Sequence, residues 1–297
     1  MFELMITVMA LVGSLVGLVS SFFGVGACFI MVPVMMYCFE TFMNAPPYIS
    51  PLLAFGTNMA IVVPTALSGV LRHKKELKRK GAHFPTKHYL SFAVPVGFGS
   101  LTGAIFAFIF FTSFRAYAGI ILKTIFGVFC LIGAYRFMKA KPIPISKISK
   151  VSIPKFAGSG YLSGILAHFI GIGGGIVYMP VLNTILRIPV HIAVSVSLAT
   201  MVIGSSIGSL SFIILGYLDQ LRHPLDYPSF SFGWFNWIAF LGIGIASVIF
   251  AQIGPRLAHR TTPSRFKMLL AIVYAYIGVR LVTNGVLQLL GMPSIIP

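Results

Sequence analysis

Apolar residues in this chain run in long stretches and seldom alternate with polar ones. A helix needs about 20 residues, at 1.5 Å each, to cross a hydrocarbon layer. Measured by that length, the stretches predict ten helical segments. In the first half they cover 4–23, 27–39, 51–72, 89–112 and 116–138; in the second they cover 156–170, 175–187, 191–217, 232–253 and 266–290. Segments two and seven are too short to cross, since about 13 residues make only about 20 Å of helix. Each follows a glycine cluster, so each is expected to be half of a broken helix or of a re-entrant hairpin. The opening stretch MFELMITVMALVGSLVGLVSSFF lacks a positive n-region, carries Glu3 instead, and is too long for a signal-peptide core. It reads as a retained membrane helix.

The two halves repeat one another. At an offset of 147 residues, Gly13, Gly17, Gly24, Gly26, Pro33 and Val34 fall on Gly160, Gly164, Gly171, Gly173, Pro180 and Val181. Downstream the offset becomes 139, because the first half has the longer loop ETFMNAPPYIS; AFGTNMA (54–60) then lies over AVSVSLA (193–199), and Gly69 over Gly208. Five segments per copy is an odd number, so the second copy should be inverted in the membrane. The expected organisation is a first transmembrane repeat over 1–138, a Pro/Ser/Lys-rich linker over 139–155 and a second repeat over 156–297. The fold class is an all-α polytopic membrane protein made of two inverted five-segment repeats.

Composition agrees with that reading: 57% of the 297 residues are hydrophobic and only 9% are charged, where a soluble domain carries about 25% charged residues. The net charge of +17 would suggest nucleic acid in a soluble protein, but the positions of the charges give it another meaning. With the N-terminus outside, 18 of the 22 Lys and Arg residues fall on the cytoplasmic side, as the positive-inside rule requires. The run 72–88 is then a topology determinant, helped by anionic lipid, and both termini are expected on the extracytoplasmic side of the cell membrane. Trp234 and Trp237, with Tyr217 and Tyr227, are expected to form an outer aromatic belt.

Candidate chemistry concentrates at the glycine clusters. GVGA (24–27) and GIGGG (171–175) have Phe29 and Ile176 where a dinucleotide fingerprint needs its third glycine, and no strand precedes either cluster. Unwound backbone at membrane depth survives only where it lines a cavity or is buried in protein. The short helix after each break starts with free N–H groups and a positive dipole end, a setting suited to an anion. Close helix packing through small residues is the competing reading. Gly24, Gly26, Ala27 and Cys28 in the first break, and Gly171, Gly173, Gly174 and Gly175 in the second, are therefore candidate substrate contacts. Thr57 and Asn58, with Ser197 in the matching helix, are candidate side-chain donors; interhelical hydrogen bonding is their alternative role, and Ser195 and Thr200 are weaker members. His168, three residues before the second break, is an intramembrane ionisable group; a buried, hydrogen-bonded histidine is the plainer reading. His191 lies nearer the interface.

Other patterns carry less. Cys28, Cys38 and Cys130 lack metal or redox spacing and read as small buried hydrophobes. Gly204-Ser205-Ser206-Ile207-Gly208 matches a nucleophile elbow, but it lies mid-helix rather than on a strand–turn–helix. Glu3, Glu40, Glu76, Asp219 and Asp226 all fall in loops or near helix ends, which disfavours a cation site or a carboxylate proton relay. No cofactor or nucleotide motif is present, so transport would be secondary.

The paired GxGxxxxxxP frames at 24–33 and 171–180 resemble the signature of the TauE/SafE-type sulfite exporter family, as do GTN (56–58) and SVS (195–197). Ala27-Cys28 stand where that family tends to have glycines, and Asn58 replaces a serine. The resemblance implies a secondary transporter of a small anion, sulfite or an organosulfonate, with the bilayer as its other partner and no nucleic acid. Rival readings are a carrier of another small anion or of a neutral solute, an intramembrane hydrolase, and a membrane assembly factor.

Overall fold

A computed structural model describes residues 2–139, 143 and 152–290. Most of the 139–155 linker lies outside the described residues. Among the described residues ten α-helices follow in order: α1 (Phe2–Phe23), α2 (Cys28–Phe42), α3 (Ser50–Arg79), α4 (Thr86–Lys139), α5 (Ile153–Phe169), α6 (Gly175–Pro180), α7 (Val190–Arg222), α8 (Trp237–Phe250), α9 (Gly254–Arg260) and α10 (Pro263–Leu289). Six helical stretches are long and apolar enough to cross a membrane, while Cys28–Phe42 and Gly175–Ile185 are apolar but shorter. Large apolar side chains such as Leu11, Phe98, Leu162, Ile245 and Met268 stand more than 60% exposed on the helix exteriors, the surface a lipid-facing bundle presents.

The expected segments are recovered with shifted boundaries. Segments four and five are the two arms of α4, which meet at a kink where Phe114 is non-helical at φ −115° and ψ 19°, at the gap expected between 112 and 116; the first arm, Thr86–Phe114, is long enough to span by itself. The stretch 232–253 is helical only from Trp237, and the unpredicted α9 follows it. Segment seven is composite, because α6 passes at Pro180 into a π turn over Val181–Ile185. Proline offers no N–H to the carbonyl one turn back, here that of Ile176, and the Tyr274 hydroxyl of α10 donates to that oxygen at 2.7 Å.

At the centre α3 packs against α7, and most of α3's apolar window is buried. Outside this pair, α1 packs on α8, α5 on α4, and α10 on α4. The α1–α8 and α5–α4 contacts share one local geometry. Gly13 and Gly17 of α1 sit against the carbonyl oxygens of Ile243 and Ser247, and Gly160 and Gly164 of α5 sit against those of Phe92 and Val96. At all four a β-carbon would come closer to backbone oxygen than real side chains do. Glycine is thus what lets the backbones approach.

One expectation is corrected. Trp237 is 54% exposed, as a belt residue should be, but Trp234 is fully buried. Its ring packs between Phe108 and Phe212 and against Gly216, while its carbonyl lies against Gly56. Its indole N–H donates to the Tyr227 hydroxyl (3.0 Å), which donates to Asp219 (2.8 Å). Residues 233–236 are therefore buried against Gly56 of α3 and Gly216 of α7, while Ser229, Phe230 and Phe232 stay exposed.

Candidate functional site

Each short helix is preceded by three residues in the left-handed region at corresponding positions. Gly24, Gly26 and Ala27 have φ +70°, +82° and +45°; Gly171, Gly173 and Gly174 have φ +77°, +70° and +93°. The break is therefore a specific backbone shape rather than a loose loop. Alanine adopts it at position 27 although a β-carbon costs about 1–2 kcal/mol there. The shape ends helix α1 and starts α2 within four residues. Ile30 and Met31 N–H both bond Ala27 O, and Val177 and Tyr178 N–H both bond Gly174 O. The N–H groups of Cys28 and Phe29, and of Gly175 and Ile176, thus precede the first helical turn, where no intrahelical acceptor exists for them.

The two breaks lie against each other. A β-carbon on Gly175 would stand 2.5 Å from the Val25 carbonyl carbon and 2.6 Å from Gly24 O. Gly24 is backed by Val194 and Gly171 by Phe55, residues 139 apart on α7 and α3. Met201 and Val62 close over Gly26, and Val62 also covers Gly173. All the break residues from Gly24 to Cys28 and from Gly171 to Gly175 are buried, so the arrangement is a closed one.

Two of the predicted donors reach across this contact. Asn58 Nδ2 donates to Gly171 O at 3.2 Å, and Ser197 Oγ donates to Gly24 O at 2.7 Å. Each central helix thus caps the break that follows the other half's first helix. Thr57 and Ser195 do not join them. Thr57 Oγ1 accepts from Asn236 N (2.9 Å), anchoring the entry to α8, and Ser195 Oγ bonds Ile192 O in its own helix (2.8 Å). Adjacent residues on a helix point about 100° apart, so Thr57 and Asn58 cannot both face the break.

His168 is fully buried. Its Nδ1 donates to Gly164 O (3.0 Å) and its Nε2 has no partner. The Cδ2 and Nε2 atoms of the ring lie against Gly208, at the place where Ser21 lies against Gly69 in the first half. Three further polar atoms around the breaks lack hydrogen bonds: Asn58 Oδ1, Thr200 Oγ1 and the Tyr178 hydroxyl.

Sequence reasoning missed Tyr178 and Ser205. Tyr178 folds back over Gly174 and reaches Gly204, and Ser205 Oγ donates to Gly173 O at 3.0 Å. Ser205 belongs to the G-x-S-x-G stretch, whose central Ser206 merely bonds Val202 O one turn back. His191 joins a separate cluster with His73 and His259. No group of His, Cys, Asp or Glu among the described residues is arranged to hold a metal ion.

Comparison with known proteins agrees with this architecture. The model of the family Sulfite exporter TauE/SafE matches residues 9–281. A probable membrane transporter protein of Methanocaldococcus jannaschii is 24% identical over 277 residues, covering 93% of this chain and 95% of its own length. A probable membrane transporter protein of Bacillus subtilis is 26% identical over 297 aligned positions, covering 94% and 98%. No solved structure matches. A chain matched over nearly its full length, with its paired glycine breaks inside the matched region, belongs to the TauE/SafE sulfite exporter family of membrane transporters, which are not enzymes.

Proposed function

We propose that the protein is a secondary transporter of a small anion, sulfite or an organosulfonate, working by alternating access between two inverted repeats, 1–138 and 156–297, with the anion held at the breaks. The family description supports the substrate class. The pairing of equivalent glycine contacts, Gly13 and Gly17 on α8 with Gly160 and Gly164 on α4, supports the repeat. The positive-inside count supports N- and C-termini outside and the basic loops in the cytoplasm.

The observation that carries the reading is the reciprocal capping of the breaks. A bare carbonyl beside an anion would repel it. With Gly24 O and Gly171 O turned to Ser197 and Asn58, the helix-start N–H groups dominate the local field. In the closed arrangement Asn58, Ser195 and Ser197 donate to backbone carbonyls and Thr57 accepts from the Asn236 N–H. Opening on either side exchanges some of those bonds onto the anion, and His168, with one nitrogen unpartnered, adjusts the charge or carries a coupled proton.

The test is flux of radiolabelled sulfite, sulfonates and thiosulfate in proteoliposomes. Wild type should transport at least one of them, and Asn58→Ala and Ser197→Ala should each lose most of the flux. Full transport by the double variant would sink the proposed site. A protein inert toward every sulfur oxyanion would redirect the reading to another small anion or a neutral solute.

A further inference from the structure

At the basic end of the bundle, α3 and α9 enclose an open cup of about 310 Å³. We propose that this cup is a second oxyanion-binding site, separate from the breaks. Arg72 and Arg79 of α3 and Lys80 just past its end line the cup with Arg256 and Arg260 of α9, against the single carboxylate of Glu76; Lys80 Nζ donates to the His259 carbonyl. That carboxylate is already engaged, by Arg72 Nη2 at 2.6 Å and Arg79 Nη1 at 3.2 Å. Arg256 and Arg260 have no carboxylate partner among the described residues, and both side chains are exposed into the opening.

A solvated topology patch would look different. Lys74, Lys75 and Lys78 on the same helix are such a patch: exposed and outside the cup. In the cup, Arg72 is 9% exposed and its Nε is buried without any hydrogen-bond partner. An unsatisfied buried guanidinium N–H beside a polar cavity calls for an acceptor. Planar guanidinium groups from two elements suit an anion with several oxygens, each fork taking two of them. The ligand class is accordingly a compact sulfur or phosphorus oxyanion, free or as the headgroup of an anionic lipid.

The cup is also tied to the core. His259, on its wall, pairs with His73 (Nε2 to Nδ1, 3.1 Å), and His73 Nε2 donates to Ser21 O at 2.8 Å. Because the Ser21 carbonyl can only accept, neutral His73 carries its proton on Nε2, and His259 is the donor between the two rings. Ser21 lies three residues before the first break, so the cup and the end of α1 share one hydrogen-bonded chain.

The experiment measures the melting temperature of purified full-length protein in detergent with sodium sulfate, sulfite or phosphate, at ionic strength matched with chloride. Wild type should gain a few degrees with the polyvalent oxyanions. The variant Arg256→Gln/Arg260→Gln, altered only at exposed positions, should lose that gain; because sulfate stabilises proteins generally, the difference between the two proteins is the reading. A full gain in the variant overturns the site. A second arm uses nanodiscs of phosphatidylglycerol or phosphatidylcholine. Stabilisation by phosphatidylglycerol alone, lost in the variant, assigns the cup to a lipid headgroup, and equal melting of both proteins in both lipids, together with no gain from free oxyanions, overturns it. Asn58→Ala/Ser197→Ala should keep the oxyanion gain, so failure of the cup and failure of the transport site are separately visible.

Discussion

Asn58 on the third helix donates its side-chain amide to the carbonyl of Gly171, 113 residues further on, inside the break that precedes α6. This bond ties the middle of one half to the discontinuity of the other. An interhelical hydrogen bond in a membrane protein is worth about 0.6 kcal/mol on average and at most about 1.7. Asn58→Ala should therefore lower the melting midpoint by only a few degrees. Asn58→Asp should do worse than Asn58→Ala, because a carboxylate has no proton to give and would face a carbonyl in a dry site. Thermal unfolding in detergent ranks the two, and a more stable aspartate variant would contradict the assignment.

The positions of Ala27 and Gly174 correspond, and both have positive φ, but substitution should act on them in opposite ways. Ala27→Gly removes a left-handed strain of about 1–2 kcal/mol while restoring about 0.4–1 kcal/mol of unfolded-chain entropy. It should leave stability within about 1 kcal/mol of wild type. Gly174→Ala puts a β-carbon into the Tyr178 ring and should cost several times more. Equal melting shifts for the two variants would refute the matched geometry of the breaks.

Close backbone contacts predict a contrast between glycines. Gly17→Ala and Gly164→Ala must push α1 off α8 and α5 off α4, and overpacking of this kind costs about 1–3 kcal/mol. Gly244→Ala meets nothing within 4 Å and should be neutral or stabilising by up to about 1 kcal/mol through helix propensity. Melting of the three variants side by side decides the matter.

Tyr274 and Pro180 should be coupled. Tyr274→Phe leaves Ile176 O buried and unpaired, a loss of about 1–3 kcal/mol. Pro180→Ala restores an N–H one turn ahead of that carbonyl. Added to Tyr274→Phe, it should recover part of the loss. A double-mutant cycle showing strict additivity would mean that the tyrosine does not serve that oxygen.

The breaks were legible in the sequence because glycine at a left-handed position leaves a direct residue signature, and because the signature occurs twice. Ala27 was legible only through its place in that frame. The partners of Thr57 and Asn58 were not legible. Both are small polar residues in one turn, and only the rotation of α3 about its axis sends one to Asn236 and the other to Gly171. Trp234 looked like a belt residue, since an aromatic at a helix entry has the same sequence context whether it meets lipid or plugs a bundle. The bend at Phe114 was legible as the gap between the apolar runs 89–112 and 116–138, although no proline or glycine marks it. The histidine cluster joins positions 73, 191 and 259, whose only common property is the packing of α3, α7 and α9.

The crossed capping has a consequence for how this chain can be divided. Ser197 supplies the donor that Gly24 needs, and Asn58 supplies the one that Gly171 needs. Either half alone should leave a carbonyl uncapped and lose the packing of α3 on α7. A chain severed within 139–155 should assemble when both fragments are made in the same cell, and each fragment made alone should be degraded. On this reading the two halves complement each other, joined by the packing of α3 on α7 and by a hydrogen bond that each lends to the other.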